Sequence, residues 1–583
     1  MCGIAGIYAR KSLPSPTHLR LMADALAHRG PDGESIEIRD HVGLVHRRLS
    51  IIDLETGRQP LTDEDGCLLI VNGEIYNYVE LRKGFPLVHF RTQSDCEVIL
   101  PLYKQQGLRF TESLRGMYGL ALYDPLSRDL ILARDLFGMK QLYYTQTLQG
   151  FIFASEPNAI LATNLISAEV NPQARAELLQ LRYNTGRTTI FNRIERLLPG
   201  ETIIVRDGEI IAHHQETKCP SLNSRITPEE ALLLFEQTFH DSVHLHLRSD
   251  VPYGLFLSGG LDSASLLAFM SRETGQRLKT YTVGFKGAKI HDERNQASRL
   301  TQHFKTDHTE VDFSEDDFWS LLPAVVEAHD DPVFDPAMIP TFKLAAVAKQ
   351  DVKVILCGEG GDEMLAGYRR YQKAHWPSWL GGRLFRQKGV FDATPLKGCL
   401  TPWREGIERI RDEAVAHAFS KVQTAQLTDL ETWMPNNLLI KLDRCLMAHG
   451  LEGRTPYLDR VVLDHLFSLP DRYKIHHRQG KWILRQWLAK NLPEAEPFAK
   501  KRGFSVPVAQ WMKGQAPHLA RLVAQQPGIR EFLPSEHVMD IFLKEKKNYP
   551  FAAWVLLVYA VWHQRHIMRI PCQDDTFSFL ART

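Results

Sequence analysis

The feature that most constrains the fold is the stretch "GLFLSGGLDSASLLAF" at 254–269, where an apolar run passes through a Ser/Gly loop into a helical pattern. Gly259 and Gly260 allow a tight backbone turn that directs N–H groups, together with the helix N-terminus, at an anionic oxygen. The stretch lacks the G-K-S/T ending of a P-loop. It therefore predicts a strand, a phosphate-binding loop of another kind and a helix.

Strands and helices continue to alternate after this stretch. "KTYTVGF" is followed by "ERNQASRLTQHF", and "TFKLAAVAKQ" is followed by "VKVILC". This alternation is typical of an α/β fold with a parallel sheet. Beyond about residue 366 helix-forming residues dominate, which predicts that helices cap one end of the sheet.

The chain before about residue 210 has a different pattern. Short β-rich runs, among them "VGLVH", "CLLIVNGEIYN" and "FIFASE", are separated by turn-forming residues, and few helical patterns occur. This predicts an α+β layer arrangement. The polar segment "CPSLNS" at 219–224 is the best linker. Because 583 residues exceed one ordinary core, we predict two domains, at 2–215 and 225–583.

Composition excludes several classes of partner. The 70 Lys and Arg residues nearly cancel the 69 Asp and Glu residues, so nothing favours nucleic acid or a membrane surface. The eight cysteines are scattered, which predicts reduced thiols in a cytoplasmic protein. No signal-peptide pattern is present at the N-terminus. The apolar stretch "FAAWVLLVYAVW" has about 12 residues, fewer than the roughly 18 that span a bilayer, and predicts a buried helix.

Cys2 is a candidate nucleophile. If the initiator Met is removed, Cys2 carries a free α-amine with an ordinary pKa of about 7.7 to 8.0 beside its own thiol, whose ordinary pKa is about 8.5. The amine can then accept the thiol proton. An isolated cysteine near a terminus is more often a small buried residue. The nucleophile hypothesis therefore depends on what else the chain carries.

Three further stretches carry groups suited to the hydrolysis of an amino-acid amide. Arg48 in "VHRRLSIIDL" can grip a carboxylate, and the acids Glu74 and Asp95 can hold an ammonium group. The side chain of Asn72 and the N–H of Gly73 can stabilise an oxyanion. Together these residue types make the catalytic hypothesis for the N-terminal cysteine the stronger one.

A second loop accompanies the Ser/Gly loop. "VKVILCGEGGDEMLAGYRRY" at 352–371 is an apolar run that ends in a glycine-rich acidic segment. Because parallel strands place their C-terminal loops at one edge of a sheet, the two loops can face one crevice. Asp262 and Asp362 are then candidates for sharing a Mg²⁺ ion, which prefers oxygen ligands. Alone, either aspartate would more often be a helix cap.

The N-terminal motifs "MCGIAGI", "HRGPDG", "HRRLSIIDL", "VNGEIYNY" and "ARDLFGMKQLYY" resemble the N-terminal-nucleophile (Ntn) hydrolase domain of class II glutamine amidotransferases. The resemblance implies an Ntn-hydrolase sandwich with Cys2 as nucleophile and with Asn72 and Gly73 as the oxyanion hole. It also implies that glutamine is held by Arg48, Glu74 and Asp95. The family's usual "RDRFGIKPLYY" is altered here at Leu136 and Gln141, outside the catalytic set.

The later loops resemble the pyrophosphate-loop ATP pyrophosphatases, and specifically the synthetase domain of asparagine synthetases. "LLIKLDRCLMAHGLEGRTPYLD" at 438–459 matches the same family. The resemblance implies Glu359 as an acid/base residue and Lys501, in "AKKRGFSVPVAQW", as the lysine that stabilises developing charge, with Lys500 as its competitor. The residues implied to bind ATP are Leu257, Ser258, Gly259, Gly260, Asp262, Ser263, Val283, Cys357 and Gly358.

The two resemblances together imply one enzyme that takes glutamine, ATP with Mg²⁺, and a carboxylate acceptor. Glutamine is hydrolysed at Cys2, ammonia passes internally, and an acyl-adenylate is aminated with release of AMP and pyrophosphate. Aspartate is the default acceptor. A larger carboxylate, such as a uronic acid of a polysaccharide or an envelope peptide, is the alternative that Gly361 leaves open. A non-catalytic regulatory relative is the alternative of another class. A homodimer is left open.

Overall fold

The computed structural model describes residues 2–218, 225–287, 293–374, 376, 388–416, 419–500 and 505–582. The predicted linker at 219–224 and Lys501 lie outside these residues. The strands of the first part are β1 Cys2–Ala9, β2 Gly33–Arg39, β3 Val42–Arg48, β4 Leu61–Thr62, β5 Leu68–Ile75, β6 Gly116–Asp124, β7 Asp129–Arg134, β8 Tyr143–Gln146, β9 Gly150–Ala154, β10 Glu195–Arg196, β11 Glu201–Arg206 and β12 Glu209–Gln215. Its helices are α1 Pro16–Ala25, α2 Tyr78–Lys83, α3 Ile99–Gln106, α4 Pro157–Leu161 and α5 Pro172–Leu181.

These strands form two six-stranded sheets whose pairs are antiparallel. One has the order β10-β8-β9-β1-β3-β2 and the other β12-β11-β7-β6-β5-β4. Ile4 and Leu44 of the first sheet share an apolar cluster with Ile70 and Leu130 of the second, so the sheets pack face to face. Helix α1 lies against the outer face of β1 and β3, and α3 packs with the outer residues of β5 and β6. The predicted α+β sandwich is confirmed.

The second part contains a five-stranded parallel sheet. Its strands are β13 Tyr253–Phe256, β14 Lys279–Phe285, β15 Asp307–Phe313, β16 Val354–Leu356 and β17 Glu452–Arg454. A separate small hairpin is formed by β18 Ile475–His476 and β19 Gln479–Gly480. The sheet order is β15-β14-β13-β16-β17, and every neighbouring pair is parallel. The predicted α/β fold is therefore confirmed, and β17 lies at the edge of this sheet.

Helices surround this sheet and make up most of the chain after it. They are α6 Pro228–His246, α7 Leu261–Glu273, α8 Arg294–Phe304, α9 Glu315–Ala328, α10 Met338–Ala348, α11 Gly361–Met364, α12 Arg369–Ala374, α13 Glu405–Ala416, α14 Lys421–Glu431, α15 Leu439–Met447, α16 Arg460–Val462, α17 Asp471–Lys474, α18 Trp482–Asn491, α19 Val508–Gln525, α20 Pro527–Arg530, α21 Ser535–Leu543, α22 Tyr549–His566 and α23 Thr576–Leu580.

The apolar stretch at 551–562 lies in α22 and is buried, as predicted. Trp554 and Trp562 are fully enclosed, and their indole N–H groups donate to the carbonyls of Phe334 and Asp330. In the part of the chain that the structure describes, no helix is long and apolar enough to cross a bilayer. None of the cysteines in that part is paired in a disulfide.

Buried charged groups join the two parts. The guanidinium of Arg196 forms two hydrogen bonds of 2.8 Å with the carboxylate of Asp331, which also accepts from the hydroxyl of Tyr143. The guanidinium of Arg29 bridges Glu156 of its own part and Asp443 of α15. Because buried charges are stable only when paired, these contacts require the two parts to dock in one arrangement.

Candidate active sites

Cys2 lies at the start of β1, between the two sheets of the first part. Its backbone nitrogen donates to Asn72 Oδ1 at 3.0 Å, and its carbonyl accepts from Arg29 Nε at 3.1 Å. Burial raises the pKa of the Cys2 thiol, and the nearby guanidinium of Arg48 opposes that rise. The structure thus brings the predicted nucleophile into direct contact with one of the two predicted oxyanion-hole residues.

Asn72 and Gly73 lie in the buried strand β5. The side-chain nitrogen of Asn72 is 3.5 Å from the hydroxyl of Ser155, which also accepts from the backbone N–H of Ile4. A Cβ atom at Gly73 would lie 2.0 Å from the carbonyl oxygen of Met117. Close approach of β6 therefore requires glycine at position 73. Ser155, which orients Asn72, carried no motif in the sequence that would have singled it out.

Glu74 and Asp95 lie together in the same interior. Asp95 Oδ2 accepts from the backbone N–H of Ile75 at 2.7 Å, which ties it to the end of β5. Burial raises the pKa of Glu74 well above its ordinary value, and the charge of Asp95 adds to that rise. The guanidinium of Arg454, from β17 of the second part, lies 3.8 Å from Glu74, and its positive charge opposes this rise in pKa. Sequence reasoning missed Arg454 as a neighbour of this site.

Arg48 ends β3, directly opposite Cys2 in the sheet register. Its guanidinium donates to the carbonyls of the turn at Ile52 and Asp53, and it lies 3.4 Å from the carbonyl of Leu54. It is only partly buried. The predicted carboxylate-binding arginine therefore stands at the edge of the Cys2 site, held by the turn that follows its own strand.

The Ser/Gly loop has the predicted strand-loop-helix form. It connects β13 to α7, and its ends are joined by a hydrogen bond of 3.0 Å between the hydroxyls of Ser258 and Ser263. Ser258 also accepts from the backbone N–H of Gly260 at 3.1 Å. These contacts curl the loop over the first turn of a 13-residue helix, and backbone N–H groups in such a turn favour an anionic oxygen.

The two predicted loops line one cavity of about 540 Å³. Strands β13 and β16 are parallel neighbours, so the loops that follow them emerge at the same edge of the sheet, as predicted. The residues of the predicted ATP-binding set that line the cavity are Leu257, Ser258, Gly260, Asp262, Ser263, Val283, Cys357 and Gly358. Gly259 lines an adjoining cavity that shares Gly260 and Asp262 with this one.

Glu359 lines the same cavity beside a lysine that sequence reasoning left unassigned. The ammonium of Lys441, on α15, lies 3.8 Å from Glu359 and 3.7 Å from Asp335. Burial alone would lower the pKa of Lys441, but the combined attraction of the carboxylates of Asp335 and Glu359 is larger and raises it above its ordinary value. This end of the cavity therefore carries one permanent positive charge between two acidic groups.

A second unassigned lysine lies between the two predicted metal ligands. Lys481, which precedes α18, has its ammonium 2.8 Å from Asp362 and in contact with Asp262. A Cβ atom at Gly367 would lie 1.9 Å from Asp362 and 2.2 Å from Lys481, and one at Gly361 would lie 2.5 Å from Asp262. These glycines let the three charged groups close together.

The carboxylates of Asp262 and Asp362 together hold one positive group, the ammonium of Lys481, and a Mg²⁺ ion held by both would take its place. Within the described ranges, however, no three His, Cys, Asp or Glu side chains gather at one point. A Mg²⁺ ion would therefore take these two carboxylates and complete its coordination with water and phosphate oxygens. The predicted lysine of this site, Lys501, lies outside the described residues, and Lys481 is the lysine seen there.

Two family descriptions match the chain: a glutamine amidotransferase domain over residues 1–216 and asparagine synthase over residues 234–564. Together with the two-sheet sandwich and its buried Cys2, these matches define a glutamine-hydrolysing amidotransferase of the ligase class. The chain belongs to the asparagine synthase family.

Its relatives match it along most of its length. The glutamine-hydrolysing asparagine synthetase 1 of Bacillus subtilis is 31% identical over 97% of each chain. The asparagine synthetase 2 of the same organism is 31% identical, over 84% of this chain and 70% of the relative. The amidase chry2 of Gibberella zeae is 28% identical, over 85% of this chain and 86% of the relative.

Proposed function

We propose that this chain is a glutamine-dependent asparagine synthetase that forms AMP and pyrophosphate. The observation that carries the proposal is the presence, in one chain, of a buried Cys2 whose backbone nitrogen donates a hydrogen bond to Asn72 and of a cavity lined by both predicted ATP loops. The family membership and the names of the relatives support glutamine hydrolysis and asparagine formation.

The first half reaction occurs at Cys2. Its sulfur attacks the amide carbon of glutamine, the thiol proton passes to the α-amine, and ammonia leaves with that proton. Asn72 and Gly73 stabilise the negative oxygen of the tetrahedral intermediate. Water then hydrolyses the thioester to glutamate. Glu74 and Asp95 hold the α-ammonium of glutamine, and Arg48 holds its α-carboxylate.

The second half reaction occurs at the Ser/Gly loop. An acceptor carboxylate oxygen attacks the α-phosphorus of ATP, and pyrophosphate leaves. Backbone N–H groups of the loop bind the pyrophosphate oxygens. Lys481 supplies a positive charge whose attraction to the phosphate oxygens becomes stronger as negative charge develops on the departing pyrophosphate. Mg²⁺, held by Asp262 and Asp362 in place of the Lys481 ammonium, would neutralise phosphate charge. Ammonia then attacks the acyl carbon, Glu359 takes a proton, and AMP leaves.

Ammonia must move between the two sites without meeting bulk water. The buried contacts of Arg29 and Arg196 with α15 and Asp331 support a closed interface. A cavity of about 10 Å³ within that interface is lined by Lys140, Asp443 and neighbouring apolar residues. It is close to the size of a single water or ammonia molecule, which supports internal transfer along this interface.

Aspartate is the acceptor that we propose. Lys441 can pair with a free carboxylate of the acceptor, and Asp335 can pair with its ammonium group, so a small zwitterion matches this end of the cavity. Amidation of a uronic acid or an envelope peptide by the same chemistry is the second candidate, favoured by the relative that is named an amidase.

The test is pyrophosphate release that depends on both glutamine and ATP, measured across candidate carboxylates with aspartate first. Asparagine and AMP should form in equal amounts with aspartate. Turnover with a uronic acid or a peptide but not with aspartate would move the acceptor to the second candidate. If no carboxylate supports release and glutamine is not hydrolysed, the chain would be a non-catalytic regulatory relative.

A further inference from the structure

Arg454 places a guanidinium of the second part inside the candidate glutamine site of the first. Its strand β17 belongs to the parallel sheet, yet its Nη2 lies 3.8 Å from Glu74 Oε2 and its guanidinium lies 5.4 Å from the ring centre of Tyr76. Arg454 is fully buried. The second part of the chain therefore contacts the first part at Glu74, a carboxylate proposed to bind substrate.

The backbone and side chain of Arg454 are fixed from several directions. Its carbonyl accepts from the N–H of Cys357 at 2.8 Å. Its Nη1 donates to the carbonyls of His246 and Arg248 at 2.7 Å, and its Nε donates to Glu452 at 2.6 Å. Of its three nitrogens, Nη2 alone has no hydrogen-bond partner among the described residues, and neither does Glu74 Oε2. A rigid cation thus faces a carboxylate oxygen that remains available to a ligand.

We propose that Arg454 is a positioning residue of the glutamine site, which favours the charged form of Glu74 and orients it for the α-ammonium of glutamine, so that the site is complete only when the two parts are docked. The proposal rests on the assignment of Glu74 and Asp95 to glutamine that the proposed function makes. It adds a residue of the parallel sheet in the second part to a site whose predicted residues all lie in the first part.

The charge balance of the site supports this role. Glu74, Asp95 and Glu452 are three buried carboxylates around one guanidinium. Three uncompensated negative charges would favour the protonated form of Glu74, and a neutral carboxyl group binds an ammonium poorly. Among the described residues, the titratable and charged groups that face Glu74 are Asp95, Glu452, Arg454, Cys2, Cys96 and Tyr76.

The sign of each effect follows from these neighbours. Burial, Asp95 and Glu452 raise the pKa of Glu74, whereas Arg454 lowers it. Loss of the Arg454 charge should raise that pKa further, so that glutamine binding weakens at neutral pH and recovers as the pH rises. Loss of the Glu452 charge should act in the opposite direction. Two substitutions at the two ends of β17, Arg454 and Glu452, are therefore expected to move one pH profile in opposite directions.

The experiment measures kcat and KM for glutamine hydrolysis by the full chain from about pH 6 to about pH 9. Arg454→Met should raise the KM for glutamine at pH 7 about tenfold or more and move the acid limb of kcat/KM upward by at least about one pH unit. Arg454→Lys, which keeps a charge, should recover part of this loss. Glu452→Gln should move the acid limb downward.

Arg196→Met is the matched control, because Arg196 is an equally buried arginine that joins the two parts away from Glu74. It should lower the unfolding temperature without moving the pH profile. If Arg454→Met does not fold, Arg454→Lys and Glu452→Gln still test the opposite signs. An unshifted profile in the Arg454 variants, the same shift in Arg196→Met, or shifts of one sign in Arg454→Lys and Glu452→Gln would overturn the proposal.

Failure of the proposed function has a different signature. If the unmodified chain releases no glutamate from glutamine, the glutaminase assignment itself is wrong, and with it the role of Glu74. If the unmodified chain hydrolyses glutamine and the Arg454 variants bind it with an unchanged pH profile, the glutaminase assignment stands and only the role of Arg454 is overturned.

Discussion

Replacement of Lys481 by methionine removes the positive charge between Asp262 and Asp362 while keeping most of the side-chain volume. Lys481 is almost fully buried, and the two aspartate side chains are about one fifth exposed. Breaking a buried pair costs about 3 to 5 kcal/mol and an exposed pair about 1 kcal/mol or less. The intermediate exposure gives an expected loss of about 2 to 3 kcal/mol in unfolding free energy.

The same change should slow pyrophosphate release on the order of 10²-fold, the usual effect of removing one electrostatic donor from a transition state. Burial disfavours the charged form of Lys481, but Asp262 and Asp362 hold its pKa above the ordinary value, so the ammonium is present throughout the neutral range. Glutamine hydrolysis should be spared, because Cys2 lies in the other domain.

Mg²⁺ provides a second readout for this variant. With the ammonium gone, the two carboxylates can accept the ion without ATP, and a concentration near 100 times its dissociation constant would restore about 2.7 kcal/mol. Chemical unfolding of Lys481→Met with and without Mg²⁺ measures this, and Lys500→Met, at an exposed lysine of the adjoining cavity, is the control. Wild-type pyrophosphate release by Lys481→Met, or a larger loss in Lys500→Met, would refute the reasoning.

Three further substitutions separate the two sites. Cys2→Ala should abolish glutamate release and leave ammonia-dependent amidation intact; residual glutaminase activity would exclude the N-terminal nucleophile. Gly73→Ala should lower the unfolding free energy by about 3 kcal/mol, because its Cβ would overlap the Met117 carbonyl; unchanged denaturant unfolding would contradict the close strand contact. Asp362→Asn should raise the Mg²⁺ concentration needed for half-maximal pyrophosphate release while sparing glutaminase; an unchanged Mg²⁺ dependence would make Asp362 purely structural.

Local sequence patterns were sufficient for the fold class and for the groups that act within short stretches. The alternation of apolar runs predicted an α+β layer arrangement followed by a parallel sheet, because side-chain periodicity and turn residues are local properties, and the sandwich was implied by the family resemblance. The loops at 258–263 and 357–362 were placed together for the same reason, since neighbouring parallel strands share an edge. The roles assigned to Glu359 and Lys501 remain predictions.

Residues that act across the fold were not predictable in this way. Lys481 lies 219 positions from Asp262 in the chain, in a positive-φ turn before α18, and no local pattern connects the two. Lys441 and Ser155 were likewise found only through their neighbours. A cation is assigned to a site by the charges around it, and those charges are known only when distant segments are packed together.

What the sequence by itself determined is the chemistry available: a cysteine beside an amine, acids and an amide for glutamine, and two glycine-rich loops at strand ends. What only the tertiary structure decided is how charge is compensated. The guanidinium of Arg454 lies beside the carboxylate of Glu74 in the other domain, and the ammonium of Lys481 pairs with one aspartate from each of the two loops. The reason is that a buried charge must be paired wherever the fold leaves it, and its partner need not be near it in the chain.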